Sequence, residues 1–236
     1  QFTTTDYTPE QVHALGLAEV ARIDAEMDAL LRSQGLETGT VAERMTALRQ
    51  DPRFLLPNTD EGRAQVLARY REILDDMAAR MPEYFRTIPP EKLAVERVPA
   101  SAEKGSAGAY YNPAAMDGSR PGTFYANLRD TSEMPTWGMK TLAYHEGIPG
   151  HHFQIATGHG LKGLPLIRQQ PIYTAYSEGW ALYAERLAAE IGLYADDPFG
   201  DLGRLQAEMF RAVRLVVDTG LHAKGWSREQ AIEYMV

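Results

Sequence analysis

The chain has no cysteine in 236 residues. Disulfides and thiolate metal sites are excluded, so any metal must be held by histidine and carboxylate. It also lacks an apolar run of the roughly 18 residues needed to cross a bilayer. No Lys/Arg-rich cluster is present and the formal net charge is −8, which argues against nucleic acid or anionic lipid as a partner. What is there suits a folded protein, with 44% hydrophobic residues available for a large core. The sequence opens Gln1-Phe2-Thr3, without Met or an apolar signal segment, and closes at Met235-Val236 inside an expected helix. Both ends read as cuts in a longer protein.

Thr8-Pro9-Glu10-Gln11 combines an N-cap, a proline at the first helical position and a capping-box glutamine. Apolar residues at helical spacing follow to about Ser33. Thr40-Val41-Ala42-Glu43 is a second capping box, and a third helix is expected from about Glu61 to Ala79. Residues 1–83 therefore read as a helical scaffold. Between Tyr84 and Asn127 the texture changes. Leu93–Val98 alternates as an edge strand would, and two further strands are expected at Ala107–Asn112 and Thr123–Leu128, joined by a turn at Asp117–Gly122. Helices return at about Trp137–Thr157, Thr174–Ile191, Phe199–Lys224 and from Ser227. The expected fold is mainly α with a small antiparallel sheet, an α+β chain in which residues 84–236 carry the chemistry and pack on the first segment as one unit.

The chemistry concentrates at Tyr144-His145-Glu146-Gly147-Ile148-Pro149-Gly150-His151-His152. A hydrolytic zinc site needs three protein ligands, an open position and a base for the water. His145 supplies one nitrogen. Glu146, about 100° further around the helix, can serve as the base without binding the metal. The familiar motif spaces its two histidines four apart; here the gap is six or seven, with Pro-Gly inserted. In an unbroken helix His152 would lie about 10.5 Å along the axis from His145. A two-residue bulge at Pro149-Gly150 would instead bring His151 round, so His151 is the preferred second ligand and His152 the alternative.

Tyr176-Ser177-Glu178-Gly179-Trp180-Ala181-Leu182-Tyr183-Ala184-Glu185 offers a third ligand. Glu178 is preferred, with Gly179 expected to admit a neighbouring helix closely, and Glu185 is a candidate to orient an imidazole. Arg211, Arg214, Asp218 and His222 form a polar stripe on an otherwise apolar helix. This is either an ion-pair network or a catalytic group. In the second case Asp218 orients His222 to stabilise an oxyanion, and Arg214 grips substrate. Tyr111, Asn127 and Tyr176 are candidate substrate contacts, because an edge strand can bind extended peptide by adding a strand.

These motifs, in this order, resemble the domain-of-unknown-function 885 family. The run Asp117–Gly122, the segment His145–His152, Glu178–Glu185, Arg214–His222 and Gly225-Trp226-Ser227 carry the likeness over about residues 105–236, and the helices from Thr8 to Met81 resemble the part just upstream. The resemblance implies a zincin-like metallopeptidase architecture related to gluzincins, with Zn²⁺ on His145, His151 or His152, and Glu178. It implies peptide or protein as substrate. The same two-histidine, one-carboxylate set leaves two alternatives open, a non-haem iron enzyme and a non-catalytic helical binding module with a structural or relict metal site. Many members carry export or lipoprotein signals, which leaves a periplasmic or exported location open.

Overall fold

The structure is a computed structural model that describes residues 4–169 and 173–235. Gln1-Phe2-Thr3 and Val236 lie outside the described residues.

Nine α-helices and three strands are present among the described residues: α1 (Pro9–Ser33), α2 (Val41–Arg49), α3 (Asp60–Tyr84), β1 (Leu93–Arg97), β2 (Ala109–Asn112), β3 (Gly122–Ala126), α4 (Met139–Glu146), α5 (His151–His159), α6 (Leu166–Gln169), α7 (Thr174–Glu190), α8 (Pro198–Ala223) and α9 (Arg228–Met235). Both capping boxes form as their residue types dictate. At α2, Thr40 Oγ1 accepts from the Glu43 amide at 3.1 Å while the Glu43 carboxylate accepts from the Thr40 amide at 2.8 Å. Thr40→Ala is expected to cost about 1 kcal/mol, seen as a lower urea midpoint at unchanged slope.

The α+β expectation holds, but the sheet is mixed. β3 lies between β1 and β2, parallel to β1 and antiparallel to β2. The reason is connectivity: β3 returns from β2 through the Asp117–Gly122 turn and enters between its two predecessors, where it runs the same way as β1. Both outer strands are edges. β2 is the one against α4.

Three apolar clusters tie the early helices to the later elements. Val66, Tyr70 and Leu74 of α3 pack with Val95, Phe124 and Ala143, and the Tyr70 and Phe124 rings meet edge-on at 4.8 Å. Ile23, Met27 and Leu31 of α1 pack with Trp137, Leu202 and Leu205. Met77 and Met81 pack with Tyr144, Phe153 and Ala188. α4 is thus clamped between α3, α7 and α8. No described helix is long and apolar enough to cross a membrane.

Candidate metal centre

The single helix expected over Trp137–Thr157 is two helices. α4 stops at Glu146 and α5 starts at His151, with a turn through Gly147–Gly150 in which the Ile148–Pro149 peptide is cis. Pro149 has no amide to continue the ladder. Gly150 sits so close to α4 that a Cβ there would fall 1.9 Å from the His145 carbonyl oxygen and 2.3 Å from that of Tyr144. Trp180 of α7 fastens the turn by donating its indole N–H to the Pro149 carbonyl at 2.7 Å. The break replaces the expected bulge, and it lets His151 be aimed independently of α4.

His145 ends α4, His151 begins α5, and Glu178 sits in the second turn of α7. Their ligand atoms lie within 4.8 Å of one another, the one such group of three among the described residues. His145 Nε2 stands 3.3 Å from Glu178 Oε2, and His151 Nε2 stands 3.5 Å from Glu178 Oε1. Two ligands each 2.0–2.1 Å from a tetrahedral zinc are separated by about 3.4 Å. The donor set, two imidazoles and a carboxylate, is of the type zinc takes, and both imidazole-to-carboxylate distances are close to that value.

His145 Nδ1 donates to Glu185 Oε1 at 2.7 Å, which leaves the Nε2 lone pair directed at the cluster. Glu185 is two turns beyond Glu178 on the same face of α7, so one helix supplies a ligand and the group that orients another. Burial disfavours the His145 imidazolium, but the carboxylates of Glu178 and Glu185 outweigh it and push its pKa up to about 9. Hydrogen bonds from His145 and His151 hold the Glu178 carboxyl well below the usual carboxylate range. Metal binding would displace the His145 proton, so metal affinity should rise with pH up to that range. Glu185→Gln is expected to weaken zinc affinity by about 10–100-fold at unchanged stoichiometry, measured by competition with a chelator.

Glu146 is buried beside the cluster. Desolvation raises its pKa, offset in part by the charges of His145 and His151 and by the backbone N–H of Tyr111 on β2. A raised carboxylate pKa suits a group that must take and return a proton near neutrality.

His152 is not a fourth member. It is buried, and its Nε2 donates to the Glu91 carbonyl at 3.2 Å while its Nδ1 accepts from the Tyr111 hydroxyl at 3.0 Å. Both ring nitrogens are engaged, and it is His151, not His152, that stands with His145 and Glu178. Burial lowers the His152 pKa and keeps the ring neutral. Gly122 makes this pairing possible, because a Cβ there would lie 2.4 Å from the Tyr111 hydroxyl.

Other expectations need correction. Asn127 is a buried loop brace: its Nδ2 donates to the carbonyls of Glu103, Ser106 and Ala107 at 2.8, 3.2 and 3.2 Å, so its amide is not available to substrate. The Tyr111 hydroxyl is spent on His152. Gly179 admits nothing closely, since no described atom lies within 4 Å of a Cβ there. Tyr176 is exposed at the start of α7, its carbonyl accepting from Gln154 Nε2 at 3.3 Å.

Asp218 and His222 are exposed near the end of α8, and their side chains make no hydrogen bond or ion pair among the described residues. Arg214 is also exposed, its guanidinium 5.6 Å from the Phe210 ring centroid. The member of the stripe that reaches the site is Arg211. Its Nη2 lies 3.4 Å from His145 Nε2 and 3.6 Å from Glu178 Oε2. Arg211 stands seven residues beyond the buried Arg204, on the same inward face of α8; the burial that defines this face was not readable from spacing.

A metal-ready two-histidine, one-carboxylate cluster on a helical α+β scaffold is what the fold and site define. The chain belongs to the family described as bacterial protein of unknown function (DUF885), whose model matches residues 1–236. It is 50% identical to a crystal structure from Colwellia psychrerythraea described as a candidate lipoprotein, with a TM-score of 0.98. That likeness covers 100% of this chain and 40% of the other, so the chain spans less than half of that protein's length. No curated protein matches.

Proposed function

We propose that this chain carries the catalytic centre of a zinc-dependent peptidase. The observation that carries the reading is the convergence of His145, His151 and Glu178, whose ligand atoms lie within 4.8 Å of one another, with Glu146 buried at their side. A bound Zn²⁺ would act as a Lewis acid and lower the pKa of a water in its open position. Glu146 takes the proton of that water as it adds to the scissile carbonyl, then returns it to the leaving amine. A purely structural zinc site is closed by a fourth protein ligand; His152, the remaining histidine of the segment, is engaged elsewhere.

Peptide as substrate is supported by the position of β2, an edge strand of the sheet whose Tyr111 amide donates to Glu146; an edge strand beside the base can take up an extended chain. Two histidines flanking a helix break and a glutamate from a later helix also support a gluzincin-related plan. The description of the Colwellia protein supports an exported location.

Elemental analysis of protein purified without added metal tests the centre. About one zinc per chain is expected, absent from a His145→Ala variant that keeps its helical circular dichroism. Zinc-free protein that stays zinc-free after addition of the ion would overturn the reading. With zinc established, a peptide-library digest tests the activity.

A further inference from the structure

We propose that Arg211 binds the anionic oxygen that develops on the scissile carbonyl, a role distinct from ligand support and one that rests on the peptidase reading. Arg211 is the one described Lys or Arg side chain in contact with the ligand atoms, 3.4 Å from His145 Nε2 and 3.6 Å from Glu178 Oε2. Its side chain is 32% exposed, so the guanidinium is reachable from solvent while it touches the cluster.

The charge balance gives the reason. A cation held beside two metal ligands repels the metal they bind, and the repulsion is relieved when an anionic oxygen sits between the two positive charges. Such an oxygen forms in the reaction. As the water oxygen bonds to the carbonyl carbon and Glu146 takes the proton, the carbonyl π pair moves to the carbonyl oxygen, and an Arg211 N–H donates to it. When the C–N bond breaks, that pair reforms the carbonyl and the amine leaves with the proton from Glu146. Arg211 contacts the oxygen most strongly when it is charged, which is the condition for lowering the barrier.

The other candidates for this role are badly placed. Both Arg211 and Arg214 lie over Phe210, but Arg214 is exposed and only Arg211 also reaches His145 and Glu178. His222 is eleven residues beyond Arg211, about 16 Å of helix, and side chains on a helix lean back toward its N-terminus, which turns Arg211 away from that end. The sequence favours Arg214 and His222 because spacing places the stripe on one face; it does not say which turn of α8 crosses the site.

The test loads the protein with Co²⁺, whose visible absorption reports ligand binding, and titrates phenylphosphonate, a tetrahedral anion. Arg211→Met is expected to bind phenylphosphonate about 10-fold or more weakly than wild type, and Arg211→Lys to recover part of the loss. Cobalt stoichiometry should be unchanged in both variants. With a peptide substrate, kcat should fall by about 10²–10³ in Arg211→Met at nearly constant KM. Equal phosphonate affinity in Arg211→Met, or no phosphonate binding by metal-loaded wild type, overturns the proposal. So does loss of metal from Arg211→Met, which would assign Arg211 to holding the ligands. Failure of wild type to take up metal at all overturns the peptidase reading itself and is seen before any phosphonate is added.

Discussion

Glu146→Gln is expected to abolish peptide turnover, by about 10²–10⁴-fold, while zinc stays at the wild-type level. The two halves of that result have separate causes. On the proposed reading the metal sits on His145, His151 and Glu178, and Glu146 supplies none of those ligand atoms. The amide of glutamine matches the carboxyl in size, so the tight packing of α4 against α3 and α7 is undisturbed. What disappears is the ability to accept a proton. Burial makes the protonated form of Glu146 relatively easy to reach, and glutamine has no such form. Metal content and hydrolysis measured on one preparation check both halves. Retained turnover would show that another group takes the proton and would sink the mechanism. Loss of zinc together with turnover would show that Glu146 helps to hold the metal.

The second large effect concerns a residue with no polar atom in its side chain. Gly150→Ala should destabilise the protein by about 1–3 kcal/mol, the usual range for overpacking, and weaken zinc binding as well. A Cβ at Gly150 would meet the carbonyl oxygens of His145 and Tyr144 at 1.9 and 2.3 Å. These are backbone atoms in a clamped helix, with no free rotamer to yield. Relief requires α5 to move away from α4, and α5 carries His151. Chemical denaturation gives the first quantity and chelator competition the second. Gly179→Ala is the matched control on the same site: nothing lies within 4 Å of its Cβ. In the interior of α7 it should be neutral or stabilise by roughly 0.5–1 kcal/mol. If both substitutions behaved alike, the close approach at Gly150 would not be what sets the position of His151.

The residues that could do chemistry were legible before any fold was known. With cysteine absent, a metal could only sit on histidine and carboxylate, and these are concentrated in His145–His152 and Glu178–Glu185. The capping boxes at Thr8 and Thr40 fixed two helix starts, because a cap is a contact between residues three apart. Strand existence was legible from alternation; strand direction was not, since β3 finds its place between β1 and β2 only through long-range pairing.

The choice among equivalent side chains belonged to the tertiary structure. His151 and His152 are adjacent and chemically identical. They part because Tyr111 and the Glu91 carbonyl, 41 and 61 residues away in sequence, occupy both nitrogens of His152. Arg211 and Arg214 lie one turn apart on α8, and only the packing of α8 on α4 and α7 brings Arg211 to His145 and Glu178. Local sequence determines which groups exist and which helix turns they ride on, because helix periodicity is a short-range property. Which of them meet is decided by contacts tens of residues apart, which hydrophobic burial fixes and which no local spacing encodes.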